Sequence, residues 1–368
     1  MKPALTEQLA DLIRARGPLP FDTFMETALY HPEEGYYSSG QTRTGRTGDF
    51  LTPVSPGPVL GQLLARQADE LHEALRRPKR IRLIEQGAEA GWLARDLWAS
   101  IRQNHPELAR AAQLHLIEPH PRWMEKQKQA LREIDSSAQW HPGWQKLPAE
   151  DSPCFFYSCE LVDSFPVRIF KYRKKKWREQ LVGLGPSGFQ WQEKEADPAS
   201  LVEIKKQDLP MVEDCTLELR PSVPRWLESW TEKIPVGLVL TLDYGFPSAE
   251  LLSPRHSAGT LVALRDHQRS PDPLTDPGQQ DLTAHVNFTE LEELADRTGW
   301  KNYGLVDFAH GLTSLASPLL ESNHPFSETW IRNFRHLTHP SFFGHTHKIL
   351  VQGKSLPPSF TPLILMKV

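Results

Sequence analysis

The chain is 368 residues long, with 42 basic against 46 acidic side chains, a formal net charge of −4, 39% hydrophobic and 24% charged residues. That balance describes a globular protein with a sizeable core, excludes a disordered or fibrous chain, and argues against nucleic-acid binding through bulk charge. No apolar run approaches the roughly 18 residues of a bilayer span, the start Met1-Lys2-Pro3-Ala4-Leu5-Thr6-Glu7 lacks a secretory h-region, and Cys154, Cys159 and Cys215 cannot build a disulfide framework, so a soluble cytoplasmic protein away from membranes is expected.

Leu5, Leu9, Leu12 and Ile13 recur at helical spacing and stop at Gly17-Pro18, which predicts an amphipathic helix. A second helix is expected from Phe21 to Leu29. Residues 30–58 then turn to Gly, Pro, Ser, Thr and aromatics, a long irregular stretch of the kind that is usually functional or mobile. Helical periodicity returns with Val59, Leu60, Leu63, Leu64, Ala68 and Leu71.

Beyond Pro78 the pattern changes to short apolar runs separated by helices. Strands are expected at Arg80 to Glu85, Gln113 to Glu118, Phe155 to Ser158 and Gly237 to Asp243, with helices from Trp92 to Arg102 and from Pro121 to about Ile134. Such alternation implies βαβ units, a mostly parallel sheet and a ligand at the carboxyl ends of its strands.

Those strand ends carry acids: Glu85 before Gln86-Gly87, Glu118, Glu160 with Asp163 after Cys159, and Asp243 before Tyr244-Gly245. Converging on one edge of a sheet, they would form a polar crevice; the blander reading is that each caps the following helix. The first turn, Gly87-Ala88-Glu89-Ala90-Gly91, is G-x-x-x-G and not the dinucleotide fingerprint G-x-G-x-x-G. Glu89 would repel a pyrophosphate where the backbone approaches it. A phosphate-free adenosyl cofactor carrying a sulfonium escapes that objection. Glu118, 31 positions beyond Gly87, stands where an acid accepts hydrogen bonds from ribose hydroxyls. The turn therefore favours S-adenosylmethionine over a nicotinamide cofactor.

The sequence resembles the MidA-type S-adenosylmethionine-dependent methyltransferases, a group that includes a mitochondrial complex I assembly factor methylating an arginine of a respiratory-chain subunit. The resemblance is carried in order by Gly35-Tyr36-Tyr37, Gly48-Asp49-Phe50-Leu51-Thr52, Gly61-Gln62-Leu63-Leu64, Leu83-Ile84-Glu85-Gln86-Gly87, Glu160-Leu161-Val162-Asp163-Ser164-Phe165-Pro166-Val167, Asp243-Tyr244-Gly245, Asp266-His267 and Asp281-Leu282-Thr283-Ala284-His285-Val286-Asn287-Phe288. It implies an α/β class I methyltransferase, Rossmann-like, with a mostly parallel seven-stranded sheet, a helical N-terminal extension and insertions. Residues 1–78 would be that extension with a cofactor-covering loop, and residues 79–368 the core with an inserted hairpin and helical segments. The implied cofactor is S-adenosyl-L-methionine. Gly48, Asp49 and Phe50 would fold over it, Glu85 and Gly87 would line its methionine end with Gly91 and Cys159 nearby, and Glu118 would hold the ribose. The implied partner is a protein substrate. The oligomeric state stays open, a homodimer included.

The chain departs from the family pattern at three places. The glycine turn is poorer than the usual G-P-G-R-G, Thr52-Pro53-Val54-Ser55-Pro56-Gly57 lacks a glutamate, and Cys159 replaces the residue that usually precedes Glu160. These departures leave two readings open: a methyltransferase acting on a protein side chain such as arginine, or a catalytically weakened relative that binds a partner.

For a guanidinium acceptor, which stays protonated because its pKa exceeds about 12, carboxylates must orient the charge. Glu160 and Asp163 are the catalytic candidates, three apart and facing the same way if the segment is one helical turn. The basic run from Lys171 to Arg178 could contact phosphates, but it reads better as a hairpin with a solvated lysine-rich turn. His336, His339, His345 and His347 have spacings compatible with a metal, yet nothing else in the segment supports one, and no metal is expected. Cys159 has no neighbouring base to make it a nucleophile and reads as an inert buried thiol.

Overall fold

The computed structural model describes residues 4–38, 51–134, 137–207, 212–265, 268–321 and 326–367. Its helices include α1 (Leu5–Arg16), α2 (Phe21–Tyr30), α3 (Val59–Ala74), α4 (Trp92–Asn104), α5 (Pro121–Leu131), α6 (Val223–Thr231), α7 (Phe288–Arg297), α8 (Phe308–Glu321) and α9 (Glu328–Thr338). The strands of the main sheet are β1 (Ile81–Gln86), β2 (Ala112–Ile117), β3 (Gln139–His141), β4 (Cys154–Cys159), β5 (Gly237–Phe246), β6 (Lys301–Asp307) and β7 (His347–Lys354). Their order is β6-β7-β5-β4-β1-β2-β3, with Val286–Asn287 pairing beside the end of β5. Strands β1 to β5 pair in parallel, while β7 runs antiparallel to both β5 and β6. This is the expected Rossmann-like α/β fold.

The strands are apolar on both faces because helices cover both faces, as a buried parallel sheet requires. On one side Leu83, Phe155, Leu240 and Ile349 pack with α3, α4 and α8. On the other, the alternate residues Ile84, Phe156, Val239 and Leu350 pack with Trp226 and Trp230 of α6 and Phe288 of α7. Helix α3, which the sequence places in the N-terminal extension, thus packs into the core of the sheet. Helices α1 and α2 instead bury Leu9, Ile13, Phe21 and Phe24 against Val167 and against Ile169 and Val182 of an inserted sheet. That sheet contains the hairpin Arg168–Arg173 and Lys176–Gly185, to which Leu19–Pro20 adds a short strand.

The basic run is this hairpin. Lys174 and Lys175 form its turn at φ +51° and +61°, the left-handed conformation that a two-residue hairpin turn needs. Its cations have local partners: Arg173 bonds Asp214 at 2.8 Å, and Lys176 bonds Glu195 at 3.0 Å. Among the described residues no group of His, Cys, Asp or Glu is arranged to hold a metal ion, and no helix is long and apolar enough to cross a membrane.

Candidate active site

A cavity of about 370 Å³ opens at the carboxyl ends of β1, β2 and β4, within the size range of small-ligand sites. Glu85, Gly87, Glu118, Cys159, Glu160 and Asp163 all line it. Gly91 opens α4 immediately behind it, so the structure brings together every described candidate from the sequence. Gly48, Asp49 and Phe50, with Asp266 and His267, lie outside the described residues.

The glycine turn fits because its backbone needs left-handed residues. Gly87 and Gly91 have φ +78° and +81°, and Glu89 between them has φ +45°. A Cβ on Gly91 would sit 3.1 Å from the Gln127 Cα, so the glycine lets α5 approach closely. Gln127 then bridges turn and strand: its Nε2 donates to the Glu89 carbonyl at 2.9 Å and to Glu118 Oε2 at 2.8 Å. The His120 amide donates to Glu118 Oε1 at 2.8 Å. Each carboxyl oxygen therefore has one protein donor and keeps acceptor capacity for a ligand hydroxyl. Burial raises the Glu118 pKa to about 7, against the lowering pull of those two donors.

Glu85 lies beside Tyr157 in the β1–β4 register, and the Tyr157 hydroxyl donates to its Oε2 at 3.0 Å. Burial pushes the Glu85 pKa up to about 8, so it is largely a neutral carboxyl at pH 7. Cys159 is buried deeply enough that its thiol pKa rises well above the ordinary value, with nearby carboxyls adding to the effect. A thiol so disfavoured as thiolate is not a nucleophile. Glu89 also stands on the wall, and the cavity remains open beside it.

The segment after β4 corrects one expectation. Residues 160–166 form a turn and not a helical one, and Glu160 adopts φ +49°. Asp243 imposes this path. Its Oδ2 accepts the amides of Leu161, Val162 and Asp163 at 3.2, 2.9 and 3.3 Å, and its Oδ1 accepts the Tyr244 amide at 2.9 Å. Asp243 is thus structural, whereas Glu160 and Asp163 reach the cavity by a loop it holds.

Several further residues at or beside the cavity are given no role by sequence reasoning. The Tyr244 hydroxyl donates to Asp163 Oδ2, while buried Asp163 Oδ1 has no hydrogen-bond partner among the described residues. The Tyr30 hydroxyl lies 2.8 Å from Ser164 Oγ, and the Tyr37 hydroxyl donates to Asp281 Oδ1 at 2.7 Å. Tyr30 and Tyr37 line the cavity from the N-terminal segment. His347 Nε2 lies 2.8 Å from Glu160 Oε1. It comes from the group weighed for a metal and serves as a hydrogen-bond partner. Only its antiparallel pairing, with Tyr244 opposite His347, could have placed it here.

Comparison with known proteins agrees with this geometry. Residues 63–306 match the model of a family described as "Putative S-adenosyl-L-methionine-dependent methyltransferase". The mitochondrial protein arginine methyltransferase NDUFAF7 of Xenopus laevis is 27% identical over 322 residues, covering 79% of this chain and 69% of that protein. NDUFAF7 of Danio rerio is 25% identical over 363 residues, covering 88% and 80%. A crystal structure from Burkholderia thailandensis with S-adenosyl-homocysteine bound superposes at a TM-score of 0.84 with 24% identity, covering 99% of this chain and 95% of that one, and this likeness bears on the fold. The names of those two relatives are mitochondrial, so they lend no support to the cytoplasmic expectation.

Proposed function

This chain belongs to the S-adenosyl-L-methionine-dependent methyltransferase family, and from that premise we propose that it methylates a nitrogen of a protein side chain, with arginine as the acceptor its site suits best. The carrying observation is the acidic inner wall. Glu160 and Asp163 line the cavity, and Asp163 keeps a buried carboxyl oxygen without a partner among the described residues. A cationic group brought there would be held by charge-assisted hydrogen bonds, which are stronger than neutral ones. The mitochondrial arginine methyltransferases to which the chain is similar support the same acceptor.

The residues present fit the cofactor. Glu118 has acceptor capacity for the ribose hydroxyls, Ile117 and Trp123 offer apolar walls for a purine, and the Gly87–Gly91 turn leaves the backbone accessible. When bound, the sulfonium supplies the methyl group. The protein's task is then proximity and alignment, because an in-line displacement needs no covalent intermediate. Tyr30, Tyr37, Glu160 and Asp163 would orient the acceptor nitrogen. A second reading, a weakened relative that binds a partner, has Glu89 in its favour, since that side chain brings charge to the turn.

Calorimetry with S-adenosylhomocysteine, followed by tritiated methyl transfer to arginine-containing peptides, tests the proposal. Binding with transfer that Glu160→Gln abolishes supports it. Binding without transfer to any protein acceptor favours the partner-binding reading, and no binding at all sinks both the cofactor assignment and the enzyme.

A further inference from the structure

The strand that carries His347 is the reversed one. Antiparallel pairing sets His347 opposite Tyr244, so the first residue of β7 meets the carboxyl end of β5. The ring is 6% exposed and boxed by Tyr244, Phe308 and Phe343 at centroid distances of 5.5, 5.2 and 5.0 Å.

Hydrogen-bond inventory places one hydrogen on the ring, and burial among these three aromatic rings disfavours a second. Thr346 Oγ1 donates to the Phe342 carbonyl at 3.0 Å, and a carbonyl can only accept. That occupies the hydroxyl's single hydrogen, so toward His347 Nδ1, 3.0 Å away, Oγ1 can only accept. Nδ1 must carry the hydrogen. In a neutral ring Nε2 is then an acceptor, and the 2.8 Å contact with Glu160 Oε1 requires the carboxyl to donate. The second Glu160 oxygen has no hydrogen-bond partner among the described residues, and Glu160 lines the cavity.

We propose that His347 is a positioning residue for the acceptor end of the site: the chain from the Phe342 carbonyl through Thr346 locks its Nδ1–H tautomer, so that Nε2 holds the Glu160 proton and aims the other carboxyl oxygen at the cavity. The inference deepens the methyl-transfer reading and rests on it for the identity of what Glu160 meets. Methyl transfer forms the N–C bond and breaks the S–C bond, whose electron pair goes to sulfur. One proton leaves the acceptor nitrogen. Glu160, having first released its own proton to solvent through the open cavity, takes this one on the oxygen that faces the acceptor, and its exchange to Oε1 restores the hydrogen-bonded state seen here. By stabilising the protonated carboxyl, His347 makes Glu160 a stronger base.

The surroundings favour the same proton placement. Facing Glu160 are the carboxyls of Asp163, Glu89, Asp243 and Asp281, the Cys159 thiol and the Tyr244 phenol. Facing His347 are Asp163 and His285, and Arg220 is the cation acting on Asp163. Burial, then Asp163 and Glu89, raises the Glu160 pKa well above its usual range, and burial lowers that of His347 to about 3.

The test uses the full chain. Histidine nitrogen NMR at neutral pH should show His347 uncharged with its hydrogen on Nδ1. Thr346 is exposed, so Thr346→Val should fold; it removes the lock, shifts the ring toward Nε2–H and lowers the Glu160 pKa by about one unit, the scale of one hydrogen bond. Methylguanidinium is the acceptor probe, with S-adenosylhomocysteine bound. Its affinity should rise with pH as Glu160 ionises, with the rise about one unit lower in Thr346→Val and His347→Ala and lost in Glu160→Gln. An Nε2–H or doubly protonated ring in the unmodified protein overturns the proposal. So does a pH profile that neither Thr346→Val nor His347→Ala moves. Failure to bind S-adenosylhomocysteine would instead overturn the methyl-transfer reading, because the tautomer is measured without it.

Discussion

Binding of S-adenosylhomocysteine should tighten as pH rises through neutrality, and Glu118 should be a measurable source of the change. Burial raises its pKa to about 7, while the His120 amide and Gln127 amide already engage one lone pair on each oxygen. Ribose hydroxyls donating to the remaining lone pairs favour the ionised form, so binding draws the proton off. With a pKa near 7, the ionised fraction falls about tenfold from pH 8 to pH 6, and affinity should fall by about the same factor, ~1.4 kcal/mol. Glu85, raised to about 8 on the same wall, titrates in the same sense. Glu118→Ala separates the two. It should weaken binding by about 1.5–3 kcal/mol for each charge-assisted bond lost and flatten the slope between pH 6 and pH 7.5. Gln127 keeps the Glu89 carbonyl at 2.9 Å as an acceptor, so the turn should survive the truncation. The assay is calorimetry in buffers of differing ionisation enthalpy, which counts the protons released. A dissociation constant indifferent to pH, or an identical slope in Glu118→Ala, would refute the assignment of Glu118 to the ribose.

Further consequences concern the scaffold of the site. Gly91→Ala places a Cβ at φ +81° and 3.1 Å from the Gln127 Cα; about 1–3 kcal/mol of stability should be lost, and weaker S-adenosylhomocysteine binding should accompany the lower melting temperature. Asp243→Asn sets an amide nitrogen, which cannot accept, against either the Leu161, Val162 and Asp163 amides or the Tyr244 amide; denaturant unfolding should register a loss of about 2–4 kcal/mol. The pH dependence of stability follows from sign. Glu85 and Asp281 are raised to about 8, and Glu118 and Glu290 to about 7, each chiefly by burial. The folded state therefore holds protons that the unfolded chain releases, so their contribution is complete below the ordinary carboxyl range and declines as pH rises through 7 to 8. The melting temperature of the ligand-free protein should fall by a few degrees between about pH 5 and pH 8.5, and a rise over that interval would contradict the buried neutral carboxyls.

The sequence by itself determined the βαβ order, the strand ends and their acids, because apolar runs and glycine breaks are local properties that periodicity exposes. Glu85, Glu118, Glu160 and Asp163 were legible for that reason: parallel strands joined by crossovers put their carboxyl ends on one edge, wherever those strands sit in the sheet. The lysine hairpin was legible too, since Lys174-Lys175 lies between two apolar runs. Only the tertiary structure decided what each acid does there. Asp243 looks like its neighbours in sequence, yet it turns to three backbone amides while Glu160 and Asp163 face the cavity. His347 stands 187 positions from Glu160, and Tyr37 stands 244 from Asp281. Contacts over such separations depend on one strand running backwards and on the N-terminal segment reaching the site, and neither leaves a periodic trace in the residues themselves. A side chain's type is written locally, whereas its partner, its burial and hence its charge are set by segments that folding brings from far along the chain.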